Sequence, residues 1–241
     1  MASTSAVQDA APAAVSDDVT QPIDLDASPD ASLEPALGLE ELRAIRSNST
    51  TAVSQLLDKK PELLNAVDPG AKATPVHWAA LESNVNMLED LYKRGARFDA
   101  HSGHTGMTPL HYACSVGNLQ VAQFLVCTAG CATDARDTTG ATPLMIAAQH
   151  NWPRVVFWLA QHSPDGLALA DRDGDTALHW AGYKGALACL TLLVDFGLSP
   201  LAPDRYGATV LHLAVARNCE PNVRWLLQHP EANAMLAATD K

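Results

Sequence analysis

Gly106-Met107-Thr108-Pro109-Leu110-His111-Tyr112-Ala113 decides how this chain folds, because four variants of it occur elsewhere in the sequence. Thr74-Pro75-Val76-His77-Trp78-Ala79 precedes it. Thr142-Pro143-Leu144-Met145-Ile146-Ala147, Thr176-Ala177-Leu178-His179-Trp180-Ala181 and Thr209-Val210-Leu211-His212-Leu213-Ala214 follow, with the five threonines 34, 34, 34 and 33 residues apart. A fixed period of this length marks a solenoid of stacked units, none of which buries its apolar face alone.

Each part of the pattern has a mechanical reason. A threonine hydroxyl at an N-cap satisfies a free amide of the first helical turn, worth about 1 kcal/mol, and proline suits the next position because it has no amide to leave unpaired. Leu and Ala follow at helical spacing, and the small Ala lets neighbouring helices approach closely. These residues resemble the ankyrin repeat: a turn with Asp and Gly, Thr-Pro-Leu-His-x-Ala-Ala, a short Gly-containing connection and a second apolar helix. The resemblance covers about residues 38–241. It implies an all-α ankyrin-repeat solenoid of about six helix pairs with projecting hairpins and no sheet beyond them. The expected units are 38–69 (a degenerate cap carrying Glu40, Glu41 and Arg43), 70–103, 104–137, 138–171, 172–204 and 205–241.

At 241 residues and 47% hydrophobic side chains, the chain holds one solenoid plus a tail. Its charge of −11 is unevenly placed: residues 1–37 hold seven carboxylates (Asp9, Asp17, Asp18, Asp24, Asp26, Asp30, Glu34) and no Lys or Arg, leaving −4 for the rest. That tail, Ala/Ser/Pro-rich and without helical periodicity, is expected to be disordered. The absence of a clustered basic surface argues against nucleic acid. No stretch reaches the ~18 apolar residues of a membrane span, and no signal peptide opens the chain. Five cysteines, Cys114, Cys127, Cys131, Cys189 and Cys219, sit mostly in apolar helical runs. They read as reduced thiols of a cytoplasmic protein, and a monomer is expected.

The long turn Gly95 to Thr108, the aromatics Trp78 and Tyr112 after histidine, and Asp204-Arg205-Tyr206 before Thr209-Val210-Leu211-His212 narrow the resemblance. They are similar to the cytosolic ankyrin region of the ankyrin-type DHHC palmitoyltransferases, which implies recruitment of substrate proteins at a Golgi-like endomembrane. The Asp-His-His-Cys sequence and zinc-bound cysteine-rich domain of that family do not occur here, so this chain by itself is expected not to be an enzyme. A stand-alone ankyrin adaptor is the alternative. Ala238-Thr239-Asp240-Lys241 reads as the opening of another hairpin, so either the sequence stops before further repeats and a catalytic membrane domain, or the sixth repeat ends the array.

No cofactor, metal or catalytic residue is expected. His101 and His104 lie near no cysteine pair of metal spacing, and Cys127 and Cys131 have no matching second pair. The resemblance gives His77, His111, His179 and His212 a scaffold role, hydrogen-bonding between adjacent hairpins. Partners are expected to be other proteins or extended peptide segments. The inner face made by first helices and hairpins is left unburied by stacking, which offers Leu81, Glu82, Ser115, Val116, Gln149, His150, Tyr183, Lys184 and Arg217, with Arg136, Arg172 and Arg205 at the hairpin tips. Trp78, Tyr112 and Trp180 have two readings: in most ankyrin repeats that position packs between units, whereas in the resembled family an aromatic there lines the peptide groove. That groove also favours an amide near Glu82, where this chain has a carboxylate. The expected ligand is an extended, uncharged-to-basic peptide across repeats two and three, with Tyr112 as apolar anchor and Glu82 as polar contact, bound at about micromolar affinity.

Overall fold

The computed structural model describes residues 36–238; the expected disordered tail up to residue 35 lies outside the described residues. Packing begins one residue before the boundary read from composition, because Leu37 is buried and its amide donates to the Val67 carbonyl at 2.9 Å.

The described residues form six helix pairs in succession: α1 (Leu39–Arg46) with α2 (Thr50–Lys59), α3 (Pro75–Leu81) with α4 (Val85–Lys93), and α5 (Pro109–Val116) with α6 (Leu119–Gln123). The series continues with α7 (Pro143–Gln149) and α8 (Pro153–His162), α9 (Ala177–Tyr183) and α10 (Leu187–Asp195), α11 (Val210–Ala216) and α12 (Glu220–Gln228), and ends with the short α13 (Ala232–Ala237). No strand occurs among them, only the isolated bridges Ala36–Val67 and Ala170–Thr176. No helix among them is long and apolar enough to cross a membrane.

The five Thr-led helices begin where the sequence places them, with Thr74, Thr108, Thr142, Thr176 and Thr209 extended at the N-cap. The first helices pack closely on one another through Ala79, Ala113, Ala147, Ala181 and Ala214, all essentially inaccessible. Second helices meet less closely. The core runs between the two layers through Leu88, Leu91, Leu125, Val156, Leu190, Leu193 and Leu226. Each such leucine contributes about 2 kcal/mol by burial.

The hairpins repeat one device. Asp137 Oδ1 accepts from the amides of Thr139 (2.8 Å) and Ala141 (2.9 Å), Asp171 Oδ1 from Asp173 (3.0 Å) and Asp175 (2.9 Å), and Asp204 Oδ1 from Tyr206 and Ala208 (both 2.8 Å). These carboxylates hold the turn shut. Successive hairpins are joined by backbone bonds from Gly103 to Ala71, Thr138 to Thr105, Arg172 to Thr139 and Arg205 to Asp173.

Candidate functional site

Four imidazoles tie the first helices to the hairpins. The Thr74 amide donates to His77 Nδ1 at 3.1 Å, so Nε2 carries the proton and donates to the Met107 carbonyl of the next repeat at 3.1 Å. His111 joins Thr108 to Ala141 and His179 joins Thr176 to Ala202 in the same way. His212 caps Thr209 at 3.1 Å. Burial pushes His77 and His111 down to about 4, and His179 downward. With both nitrogens committed, His77, His111 and His179 have no ring nitrogen left to act as a general base. In repeat four Met145 replaces the histidine, and its Sδ takes the Thr142 amide at 3.4 Å without reaching the next hairpin.

The aromatics after these histidines form a floor. Trp78 and Tyr112 are each 6% exposed and Trp180 is 5%. The Tyr112 ring stands edge-on to His77, centroids 5.2 Å apart, and burial raises its hydroxyl pKa. The Trp180 indole donates to Asp171 Oδ2 at 3.0 Å, whereas the buried Trp78 indole nitrogen has no partner. The physical cause is local: the hairpin of repeat two runs from Asp68 to Thr74, one residue longer than from Asp171 to Thr176, and Asp68 spends its oxygens on Ala71 and Ala73.

Over this floor lies a solvent-facing row. Glu82, His150 and Arg217 are exposed, while Leu81, Ser115, Val116, Tyr183 and Lys184 are half-buried. Gln149, expected in the row, is 6% exposed and so belongs to the floor, whereas His150, the residue that ends the helix, is exposed. The structure brings one group together: the Arg217 guanidinium lies 4.5 Å above the Tyr183 ring and the Lys184 ammonium lies 6.0 Å from it. The tip arginines behave differently from one another. Arg136 donates to the carbonyls of Gly140 (2.8 Å) and Ala170 (2.6 Å), bridging two hairpins, while Arg172 and Arg205 project outward.

Two residues escape a reading by pattern. Trp152 stands where Asn84 and Asn118 cap α4 and α6 with their side chains. Its indole instead donates back to the Ser115 carbonyl of repeat three at 3.0 Å, with 39% of the residue exposed. Its ring fills the space beside Gly117, where any Cβ would collide with it. The signal was the departure from Gly-Asn to Asn151-Trp152 at the helix turn. Asp175 is the second: it occupies the position of Ala141 and Ala208, is 3% exposed, and its Oδ1 has no partner. Burial first, then the neighbouring Asp171, Asp204 and Asp173, push its carboxyl up to about 7. Among the described residues, no group of three or more His, Cys, Asp or Glu is placed to hold a metal ion.

The family model for ankyrin repeats (3 copies) matches residues 42–137, 98–168, 117–204 and 168–237. Among curated proteins, the chain is 30% identical to the probable 26S proteasome regulatory subunit p28 of Saccharomyces cerevisiae, covering 72% of this chain and 77% of that protein. It is 34% identical to palmitoyltransferase Hip14 of Drosophila melanogaster over 79% of this chain but 30% of that protein. Similarity to palmitoyltransferase AKR1 of Lachancea kluyveri is 24% over 81% of this chain and 27% of that protein, so the chain spans less than a third of either palmitoyltransferase. With the period, the Thr-led helices and the hairpin ladder, the family match places this chain among the ankyrin-repeat proteins.

Proposed function

We propose that this chain is a protein-interaction module that captures extended segments of other proteins along its inner face, and that it serves as the substrate-recruiting part of a DHHC-type protein S-palmitoyltransferase. The observation that carries the first half is the solvent-facing row of Leu81, Glu82, Val116, His150, Lys184 and Arg217 laid over a rigid aromatic floor. Stacking of repeats leaves such a face open for a partner. The second half is supported by the 34% identity to palmitoyltransferase Hip14. In this reading a partner peptide crosses repeats two and three over Trp78 and Tyr112, with Leu81 and Val116 as apolar contacts and Glu82 as its polar contact. The similarity to proteasome subunit p28 favours the second reading, an adaptor with no link to palmitoylation.

A pull-down with wild type, Glu82→Lys and Tyr183→Ala, each checked for helix content by circular dichroism, tests the face. Loss of capture with Glu82→Lys alone is expected; loss with Tyr183→Ala alone moves the site to repeat five. Acyl-exchange labelling of the captured proteins tests the palmitoylation link. Enrichment of S-acylated cysteines supports recruitment of palmitoylation substrates, and captured proteins no richer in them than the input favour the adaptor.

A further inference from the structure

The hairpins of repeats four, five and six are built on one plan, with Asp137, Asp171 and Asp204 each accepting two amides of its own turn. The residue that closes each turn, just before the capping threonine, is apolar in the other repeats: Ala73, Met107, Ala141 and Ala208. In repeat five it is Asp175, 3% exposed, with Oδ1 unpaired. The histidine tie to that position is missing as well. His77 and His111 donate to the carbonyls of Met107 and Ala141 in the repeat that follows each, whereas Met145 has no N–H to offer the Asp175 carbonyl. Of the three hairpins, only that of repeat five, residues 171–175, combines a buried unpaired carboxyl with a lost anchor from the preceding first helix.

The charges that act on Asp175 are acidic: Asp171 and Asp173 of its own hairpin and Asp204 of the next. The cations of these hairpins point elsewhere. Arg136 of repeat four donates to the Gly140 and Ala170 carbonyls, and Arg172 and Arg205 are exposed at the tips. His179, at the start of α9, has its ring nitrogens engaged with Thr176 and Ala202, and Tyr206 of the next hairpin donates its hydroxyl to Asp173 Oδ1 at 3.3 Å. An ionised carboxylate buried without a partner is strongly disfavoured. The closed hairpin therefore holds Asp175 protonated, and ionisation favours any conformation that returns it to water. Asp171 carries the consequence to the inner face, because its Oδ1 holds the turn while its Oδ2 accepts from the Trp180 indole at 3.0 Å.

We infer that the hairpin of repeat five is a proton-gated element at the edge of the inner face, closed over a protonated Asp175 and released, together with the Trp180 indole, when Asp175 loses its proton. The backbone bonds that tie it to its neighbours run from the Arg172 amide to Thr139 (3.1 Å) and from the Arg205 amide to Asp173 (2.9 Å). Beside it α7 and α9 pack closely on one another, which confines the opening to the hairpin. The closed state binds the proton more tightly than the open one. Its stability is fully present below the unfolded value of 3.8 and is lost as pH rises to about 7, the opening constant growing about tenfold per pH unit in that window and levelling off above it. This inference stands independently of the peptide reading for repeats two and three.

Amide hydrogen exchange of the full chain, followed by NMR between pH 5 and pH 8, tests it, each rate being divided by that of an unstructured chain at the same pH. The amides of Asp173 and Asp175, which donate to Asp171, report on the hairpin of repeat five. Those of Thr139 and Ala141, which donate to Asp137 in the same arrangement, are the internal control. The expected result is protection at Asp173 and Asp175 that falls about tenfold per pH unit up to about pH 7 and then levels off, while protection at Thr139 and Ala141 stays constant. Asp175→Asn, which keeps the shape and cannot ionise, should make the first pair as constant as the second. The inference is overturned if the two hairpins of the wild type respond to pH in parallel, if neither responds, or if the response at residues 173 and 175 survives in Asp175→Asn. The comparison between hairpins needs no variant, so it stands whether or not the substituted chain folds.

Discussion

Replacing Asp175 by Asn should stabilise the protein at pH 8 and do almost nothing at pH 4. The Asp175 side chain is 3% exposed with Oδ1 unpaired, and burial beside Asp171, Asp204 and Asp173 raises its carboxyl from 3.8 to about 7. A folded-state pKa above the unfolded value means that folding favours the protonated form. The stability held by that proton is fully present below the unfolded value near 3.8 and is lost as pH rises through about 7. At about 1.4 kcal/mol per tenfold change in proton affinity, the loss is on the order of 4 kcal/mol. Asn keeps the shape and cannot ionise, so at pH 8 the variant should recover most of this, reduced by whatever its amide leaves unsatisfied. A gain of about 2–3 kcal/mol is expected, read as a shift of the urea midpoint by circular dichroism. The buried histidines titrate in both proteins, so the difference between variant and wild type isolates Asp175. An equal gain at pH 4 and pH 8, or destabilisation at pH 8, would refute the reasoning.

His77 and His111, held down to about 4, work in the opposite direction. Their folded values lie below the unfolded 6.5, so the stability they carry is present above 6.5 and is lost as pH falls toward 4, on the order of 3 kcal/mol each. His111→Gln should flatten the fall in thermal midpoint between pH 7 and pH 4.5, and an unchanged slope would remove His111 from the account. Gly117→Ala should cost about 2–4 kcal/mol, because it combines φ +73 with collision against the Trp152 ring, whereas Gly95→Ala, at φ +80 with open space, should cost only about 1 kcal/mol. Equal costs would place Trp152 elsewhere. The exposed thiol of Cys127 should react with a disulfide reagent in the folded chain, while Cys114 and Cys189 should react only on unfolding, since burial raises both and carries Cys189 to about 12. Fast labelling of Cys114 would mean that repeat three opens locally.

The sequence alone determined the solenoid, its period and the start of each Thr-led helix. These depend on contacts within a few residues: Thr108 at the cap, Pro109 without an amide, and Asp137 bonding the amides of Thr139 and Ala141. It also determined that His77, His111 and His179 belong to the scaffold. Which side chains form floor and which form surface was decided only by the tertiary structure. Tyr112 and Gln149 sit at helix positions that spacing turns toward the inner face, yet both are 6% exposed, Tyr112 against His77 of the preceding repeat. Nothing in the sequence marks Asp175; only the fold buries its carboxyl without a partner for Oδ1, with Asp171, Asp204 and Asp173 close by. The physical reason is common to these cases: local bonds set the conformation of each repeat, whereas burial is set by side chains about 30 residues away that arrive only when the repeats stack.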